Sequence, residues 1–226
     1  MLLLSFEGID GSGKTTQVRL LYEYLSERSR DLSSGPLDPL LVREPGGTDL
    51  SERIRTLLLD SDLDIEPMAE LLLFSSARAQ LSKQKIKPAL DRGRIVLCDR
   101  FFDSSTAYQG IGRDVSSTYT DMKWLRDLHR RATGGLTPDR TYLVEVDAET
   151  ALRRRSQNGA SPDRMETEPG NFYGRVSAAY RELADREPER FLRLDGTASI
   201  DAIQSQIRRD VDALLDARRG ELSANP

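Results

Sequence analysis

The sequence predicts an α/β fold in which a parallel sheet is covered by helices on both faces. Two observations carry this. Short apolar runs alternate with longer helical stretches, as in successive strand–helix–strand units. The first apolar run also leads through a glycine-rich turn directly into an amphipathic helix. At 226 residues, with no repeat, low-complexity stretch or dividing linker, the chain is expected to form a single domain over 1–226.

In chain order, the strands are expected at Leu2–Phe6, Leu40–Arg43, Arg94–Cys98, Thr141–Val146 and Phe191–Leu194. Helices are expected at Thr15–Arg28, Leu50–Leu59, Pro67–Asp91, Ser117–Ala132, Asn171–Arg186 and Ile200–Arg218. Pro67 suits a first helical turn and Gly93 a stop, while Pro88 could kink or end the helix between them. Ser29–Pro39, Gly110–Ser116 and Ser156–Gly170 read as loops, the last being rich in Gly, Pro, Asp and Arg and suited to a flap.

Composition narrows the function. Lys and Arg number 33 against 37 Asp and Glu, a net charge of −4, which excludes a blanket polyanion binder but permits a locally basic pocket. One cysteine allows neither an internal disulfide nor a cysteine-based zinc site, and one histidine excludes a His–His metal pair. The apolar runs fall far short of the ~20 residues that cross a bilayer. Met1–Phe6 lacks the basic flank of a signal peptide and meets Glu7 at once. A reduced, soluble, cytoplasmic protein with no nucleic-acid or membrane partner is the expectation.

Gly8-Ile9-Asp10-Gly11-Ser12-Gly13-Lys14-Thr15 fits GxxxxGK[ST] between a strand and a helix, a pattern that a random chain of this length matches roughly once in a hundred. Glycines let backbone N–H groups turn inward on phosphate oxygens, at a helix N-terminus that already favours anions. Lys14 supplies a point charge, and the Thr15 hydroxyl a hard oxygen for Mg²⁺. A nucleoside triphosphate is implied, and no acceptor.

In a doubly wound sheet the acceptor belongs in the loops at the C-terminal strand ends. Arg43 and Arg100 each stand beside a carboxylate there; together they suggest a second phosphate site, and separately they could be surface ion pairs. Asp99 resembles a Mg²⁺-holding carboxylate, directly or through water, or a helix cap; Glu44 or Glu7 could share the metal. Phe74 and Arg78, four apart on a helix, could stack on a base and donate to its carbonyl, although Phe74 equally suits core packing. Ser105, Tyr108 and Gln109 line one helical face, and Asp10, with no phosphate role, could accept from a sugar hydroxyl. His129 reads as a surface residue on a polar helix, Cys98 as core, and Trp124 with Leu128 as a packed face of either core or dimer.

From Leu2 to Ile207 the chain resembles the thymidylate kinases. The resemblance rests on FEGIDGSGKTTQ (6–17), REPGGT (43–48), LLLFSSARAQ (71–80), DRFFDSSTAYQG (99–110), TPDRTYLVEV (137–146), Asp163-Arg164-Met165-Glu166, and Phe172, Tyr173 and Tyr180. It implies strand order 2-3-1-4-5 and phosphorylation of dTMP by ATP and Mg²⁺. ATP would lie on Gly8, Ile9, Asp10, Gly11, Ser12, Gly13, Lys14, Thr15 and Thr16, beneath a LID at about 153–170 that brings Arg154 and Arg155. The metal would rest on Thr15 and Asp99. Phe74 would stack on thymine and Arg78 bond its carbonyl edge, with Ser104, Ser105 and Gln109 nearby. Tyr108 would crowd the ribose 2′ position and Asp10 would lie near the 3′-hydroxyl. Lys14, Arg43, Arg100 and Arg154 would serve transfer.

Some thymidylate kinases carry an arginine within the phosphate turn and others in the LID. Gly11 occupies the former position here, so the resemblance assigns the cation to the LID, where Arg153, Arg154, Arg155 and Arg164 compete. It also implies a homodimer. A nucleoside kinase would need a carboxylate base beside a 5′-hydroxyl, and a GTP switch an Asn-Lys-x-Asp motif, which the sequence lacks.

Overall fold

The computed structural model describes residues 1–30, 38–118, 121–157, 164–165 and 171–224. Five strands form one parallel sheet: β1 (Leu2–Glu7), β2 (Pro39–Arg43), β3 (Ile95–Asp99), β4 (Arg140–Glu145) and β5 (Phe191–Asp195), in the order β2-β3-β1-β4-β5. Register carries the strand ends to one edge, with Phe6 and Arg43 both level with Asp99, and Glu7 level with Leu143.

The helices are α1 (Lys14–Arg30), α2 (Asp49–Leu59), α3 (Pro67–Leu81), α4 (Lys87–Asp91), α5 (Phe102–Ser105), α6 (Val115–Thr118), α7 (Met122–Thr133), α8 (Ala148–Gln157), α9 (Phe172–Arg186) and α10 (Ile200–Ala224). Alternation along β1 divides the core. Leu2, Leu4 and Phe6 pack with Val18, Leu21 and Leu25 of α1 and with Ile203, Ile207 and Val211 of α10. Leu3, with Val96 and Cys98 of β3, packs on the other face against Leu81, Ile86 and Leu90. Each such buried leucine contributes about 2 kcal/mol.

The expected α3 runs on through a wide π-helical turn (Ser82–Ile86) into α4. Pro88 falls in the first turn of α4, where a missing N–H disrupts least, and the run ends at Gly93 with φ 79°. The helix expected from Ser117 corresponds to two elements, the short α6, which contains Ser117, and α7, which begins after Asp121, whose side chain accepts from Trp124 N at 2.7 Å. Gly110–Ser116 is not a simple loop, because Thr106–Gly112 is π-helical in continuation of α5. Its glycines answer crowding rather than a turn: a Cβ on Gly110 would lie 2.6 Å from Leu125 Cδ2, and one on Gly112 2.9 Å from Phe172 Cε2. Helix α8 was not among the expected elements; Asp147 starts it by accepting from Thr150 N at 2.6 Å. Most of the expected loop at 29–39, and positions 158–163 and 166–170 of the expected flap, lie outside the described residues.

His129 corrects the surface expectation. It is 4% exposed, stacks on Phe102 with ring centroids 5.6 Å apart, and shares a 3.1 Å hydrogen bond with Thr106 Oγ1. Helix α7 is polar on average, but residues 125, 129 and 133 form its buried stripe. Burial, aided by the Arg78 charge, pushes the His129 pKa down to about 3. A depressed histidine contributes stability above its unfolded pKa of about 6.5 and loses it as pH falls toward 3, by ~1.4 kcal/mol per unit. Relative to wild type, His129→Phe is therefore expected to cancel about 2 kcal/mol of destabilisation between pH 7 and pH 5 in urea melts. An unchanged difference across that range would count against a buried neutral imidazole.

Candidate active site

The turn after β1 is shaped by what surrounds it. Gly8 has φ 140° and Gly11 φ 87°; a Cβ on either would lie 2.4 Å from a carbonyl oxygen, of Val144 and Ala151 respectively. Only glycine lets the backbone pass under β4 and α8 and enter α1. That helix has no acidic residue in its first turn, so its N-terminal field is left for an anion. Ser12 Oγ is buried with no hydrogen-bond partner among the described residues. Ile9 packs into the core beneath, and Thr16 is exposed on the first turn of α1.

Three charges meet at the mouth of this turn. Lys14 Nζ lies 3.3 Å from Asp10 Oδ1, and Arg100 Nη2 donates to the same oxygen at 2.5 Å. Burial alone would raise the Asp10 pKa, but Arg100 and Lys14 hold it far below the usual carboxylate range. Burial, and then the Arg100 charge, lower that of Lys14. Arg100 opposes the burial that would discharge it through Asp10 and stays a cation.

Arg100 is held by a rigid frame. Its backbone sits at φ 74°, a left-handed conformation that a non-glycine residue adopts at a cost of order 1 kcal/mol. The guanidinium donates to Ser104 Oγ (2.9 Å), Tyr180 OH (3.3 Å) and Tyr108 OH (3.1 Å). Behind it, buried Glu7 accepts from Phe101 N at 2.7 Å, Ser104 Oγ at 2.6 Å and Tyr180 OH at 2.9 Å. Burial, then the Asp103 charge, raise the Glu7 pKa. Glu7 thus props the turn that carries Arg100 and is enclosed away from a metal, which removes it from the candidate ligands.

Thr15 Oγ1 donates to Asp99 Oδ2 at 2.7 Å, placing two hard oxygens side by side at the strand edge. They border a cavity of ≈ 460 Å³ whose walls also include Lys14, Arg43, Glu44, Arg55 and Arg100. Arg43 faces it from a half-exposed position and meanwhile donates to Glu52 Oε2 at 3.0 Å, an ion pair of the kind the sequence left open. Arg55 was not singled out in the sequence. Its position on α2, next to the buried stripe of Ile54 and Leu58, was the available signal.

A second cavity, of ≈ 100 Å³, shares Asp10, Glu44, Arg55 and Arg100 with the first and continues between Phe74, Ser104, Tyr108, Gln109, Leu59 and Met165. Phe74 satisfies both readings, lining this cavity while packing against Ile54 and Leu58. Arg78 and Ser105 do not line it. Arg78, 1% exposed, lies behind the wall, donating to Glu44 Oε2 at 2.7 Å and Ser105 Oγ at 3.0 Å. A lone guanidinium there would be costly, so the helix supplies it only with the Glu44 carboxylate as counter-ion. Two atoms of this pair, Arg78 Nη1 and Glu44 Oε1, are buried without hydrogen-bond partners among the described residues. Burial raises the Glu44 pKa to about 7 against the lowering effect of Arg78, so its linkage runs opposite to that of His129: stability falls as pH rises from ~4.5 to 7.

Of the arginine run, Arg154 reaches the phosphate turn, donating to Ser12 O at 3.2 Å and Gly196 O at 2.9 Å. Arg155 lies over the Tyr173 ring at 4.3 Å, and Arg153 approaches Thr150 Oγ1 at 3.4 Å. Arg164 points to α2 and α3, away from the turn, through Leu58 O and Glu70.

The sequence model of the thymidylate kinase family matches residues 6–207. The chain is 42% identical to a thymidylate kinase of Kosmotoga olearia, over 92% of this chain and 94% of that one. It is 41% identical to one of Gloeobacter violaceus, over 98% and 99%. Among solved structures, a thymidylate kinase of Ehrlichia chaffeensis superposes with a TM-score of 0.72 at 32% identity, covering 93% of this chain and 98% of that one.

Proposed function

The chain belongs to the thymidylate kinase family and therefore phosphorylates dTMP with ATP; we propose that it does so by direct in-line transfer between two nucleotides meeting head to head in the paired cavities. The single observation that carries this reading is the convergence of Lys14, Arg43, Arg55 and Arg100 on a cavity bounded on one side by the phosphate turn and on the other by the Phe74 pocket.

The reacting groups set the demand on the protein. A phosphate monoester has its second pKa near 6, so at pH 7 the attacking oxygen of dTMP is mostly deprotonated and needs no general base. The sequence's one histidine is buried among Phe102 and Thr106 and lines neither cavity. What remains is repulsion between two anions, which preorganised cations offset in a site shielded from water. Lys14 and the turn would hold the donor phosphates, Arg154 would brace that turn from α8, and Arg100 and Arg43 would grip the acceptor phosphate. Arg43 would exchange Glu52 for phosphate. Asp10 would meet the deoxyribose, with Tyr108 beside it. The unpartnered Arg78 Nη1 and Glu44 Oε1 support a base seated against Phe74. Adjacent Thr15 and Asp99 oxygens suit Mg²⁺, which binds few protein ligands along with substrate phosphates and, when bound, neutralises developing phosphate charge.

We assign all of residues 1–226 to this one unit. Leu50 and Leu57 on α2, Leu72 on α3 and Trp124 on α7 are large apolar side chains left exposed on neighbouring helices, which supports a homodimer. No helix among the described residues is long and apolar enough to cross a membrane. That, the net charge and the single buried cysteine support a cytoplasmic enzyme without a nucleic-acid partner.

The test is ADP release measured over dTMP, dUMP, UMP, CMP, AMP and thymidine. The highest kcat/KM is expected with dTMP and none with thymidine, which brings no phosphate to the arginines. Turnover of thymidine comparable to that of dTMP would contradict the assignment.

A further inference from the structure

Glu70 takes no part in the transfer described above, yet it is a fully enclosed carboxylate on which three side chains converge. It lies in the first turn of α3 with no exposed surface. Its Oε1 accepts from Gln109 Nε2 at 2.8 Å and Arg113 Nε at 2.9 Å, and its Oε2 from Arg164 Nη2 at 2.6 Å. Two of these donors lead to the acceptor cavity, because Gln109 lines it and so does Met165, the neighbour of Arg164. Arg164 Nε also donates to Leu58 O at 3.0 Å, and Tyr173 OH to Met165 O at 3.0 Å, so the Arg164–Met165 pair is pinned from α2, α3 and α9.

The chemistry of Glu70 fixes the direction of Gln109. A carboxylate accepts and cannot donate, so it must face the amide Nε2, and the end left for the cavity is the Oε1 acceptor. That end complements a pyrimidine with N3–H, such as thymine, and mismatches cytosine, whose N3 is itself an acceptor. An apolar residue at 70 would leave the amide free to flip and to present a donor instead. Its loss would also take the carboxylate from two arginines and loosen the seating of Met165 in the wall.

We propose that Glu70 is a positioning residue that holds the Gln109 amide in one orientation and seats Arg164–Met165 against the acceptor cavity. One buried carboxylate then governs both which base is read and how closely the cavity wraps it. This rests on dTMP as the acceptor.

The test compares kcat and KM for dTMP and dCMP in wild type, Glu70→Gln, Glu70→Ala, Arg164→Ala and the Glu70→Gln/Arg164→Ala pair. Glutamine keeps an oxygen for Gln109 and Arg113 but sets an amide NH₂ against Arg164, which separates the two tasks. Glu70→Gln is expected to raise KM for dTMP about tenfold, with kcat and KM for ATP nearly unchanged and the preference over dCMP retained. Arg164→Ala, which also loses the bond to Leu58 O, should raise KM at least as much, and the pair should be no worse than Arg164→Ala alone, because both changes remove the same Glu70–Arg164 contact. Glu70→Ala should in addition reduce the dTMP preference at least tenfold. Wild-type KM in Glu70→Gln, additive effects in the pair, or equal losses for both substrates in Glu70→Ala would overturn the proposal. If Glu70→Ala does not fold, the glutamine and Arg164 cycle decides alone. A wild-type enzyme inactive on dTMP would instead overturn the assigned reaction, so the two failures are distinguishable.

Discussion

Replacing Arg100 by alanine is expected to lower kcat by about 10²–10³-fold while KM for ATP changes little, since removing one preorganised charge donor typically costs 3–4 kcal/mol at the transition state. The loss has a second component. Arg100 is the main partner of Asp10, so its removal leaves a carboxylate facing the incoming phosphate with Lys14 at 3.3 Å as its counter-charge and the Tyr108 hydroxyl at 3.0 Å as a neutral donor. Arg100→Lys should rescue little. A single ammonium cannot reach Ser104 and Tyr180 on one side and Asp10 and Tyr108 on the other, as the planar fork does. Adding Asp10→Asn to Arg100→Ala should recover part of the thermal stability lost, because the stranded charge is gone, without restoring kcat. Steady-state kinetics with melting curves on the three variants check this. Turnover of Arg100→Ala within tenfold of wild type would remove Arg100 from the transfer step.

The second large effect is expected at Gly11. The resemblance to those thymidylate kinases that carry an arginine within the phosphate turn makes Gly11→Arg look like a permitted exchange. Here the backbone stands at φ 87° and a Cβ would lie 2.4 Å from Ala151 O, a backbone atom fixed in the first turn of α8. The clash precedes any question of where the guanidinium points. Gly11→Ala and Gly11→Arg should both weaken ATP binding more than 100-fold or prevent folding, effects of the size expected for strain at a special φ. Neither should rescue Arg154→Ala. Calorimetric titration of ATP separates these outcomes, and near-normal affinity in Gly11→Arg would show that α8 yields.

How far the sequence could be read depended on whether a signal was local. The three central strands stood out because both faces of each are buried, giving apolar runs such as Ile95–Cys98, and the edge strands because short apolar stretches remain on their covered side. The phosphate turn was legible because its glycines, lysine and threonine are contiguous. Gly110 and Gly112 misled because a glycine demanded by a neighbour's side chain is indistinguishable, in one dimension, from a glycine demanded by a turn. His129 was misplaced because a narrow buried stripe on α7 is outweighed by the polar residues around it. The partners of buried charges were the least visible part. Arg78 with Glu44, Arg100 with Asp10 and Glu70 with Arg164 are 34, 90 and 94 residues apart, and only the fold brings them together.

The most direct test of two anionic nucleotides meeting in one crevice is the binding of a single molecule that is both: adenosine and thymidine joined through their 5′ oxygens by a chain of phosphates. Titration calorimetry is expected to show one molecule bound per chain, more tightly than ATP or dTMP alone, displaced by either nucleotide and weakened by Arg100→Ala. Two molecules per chain, or displacement by ATP but not by dTMP, would contradict the head-to-head arrangement.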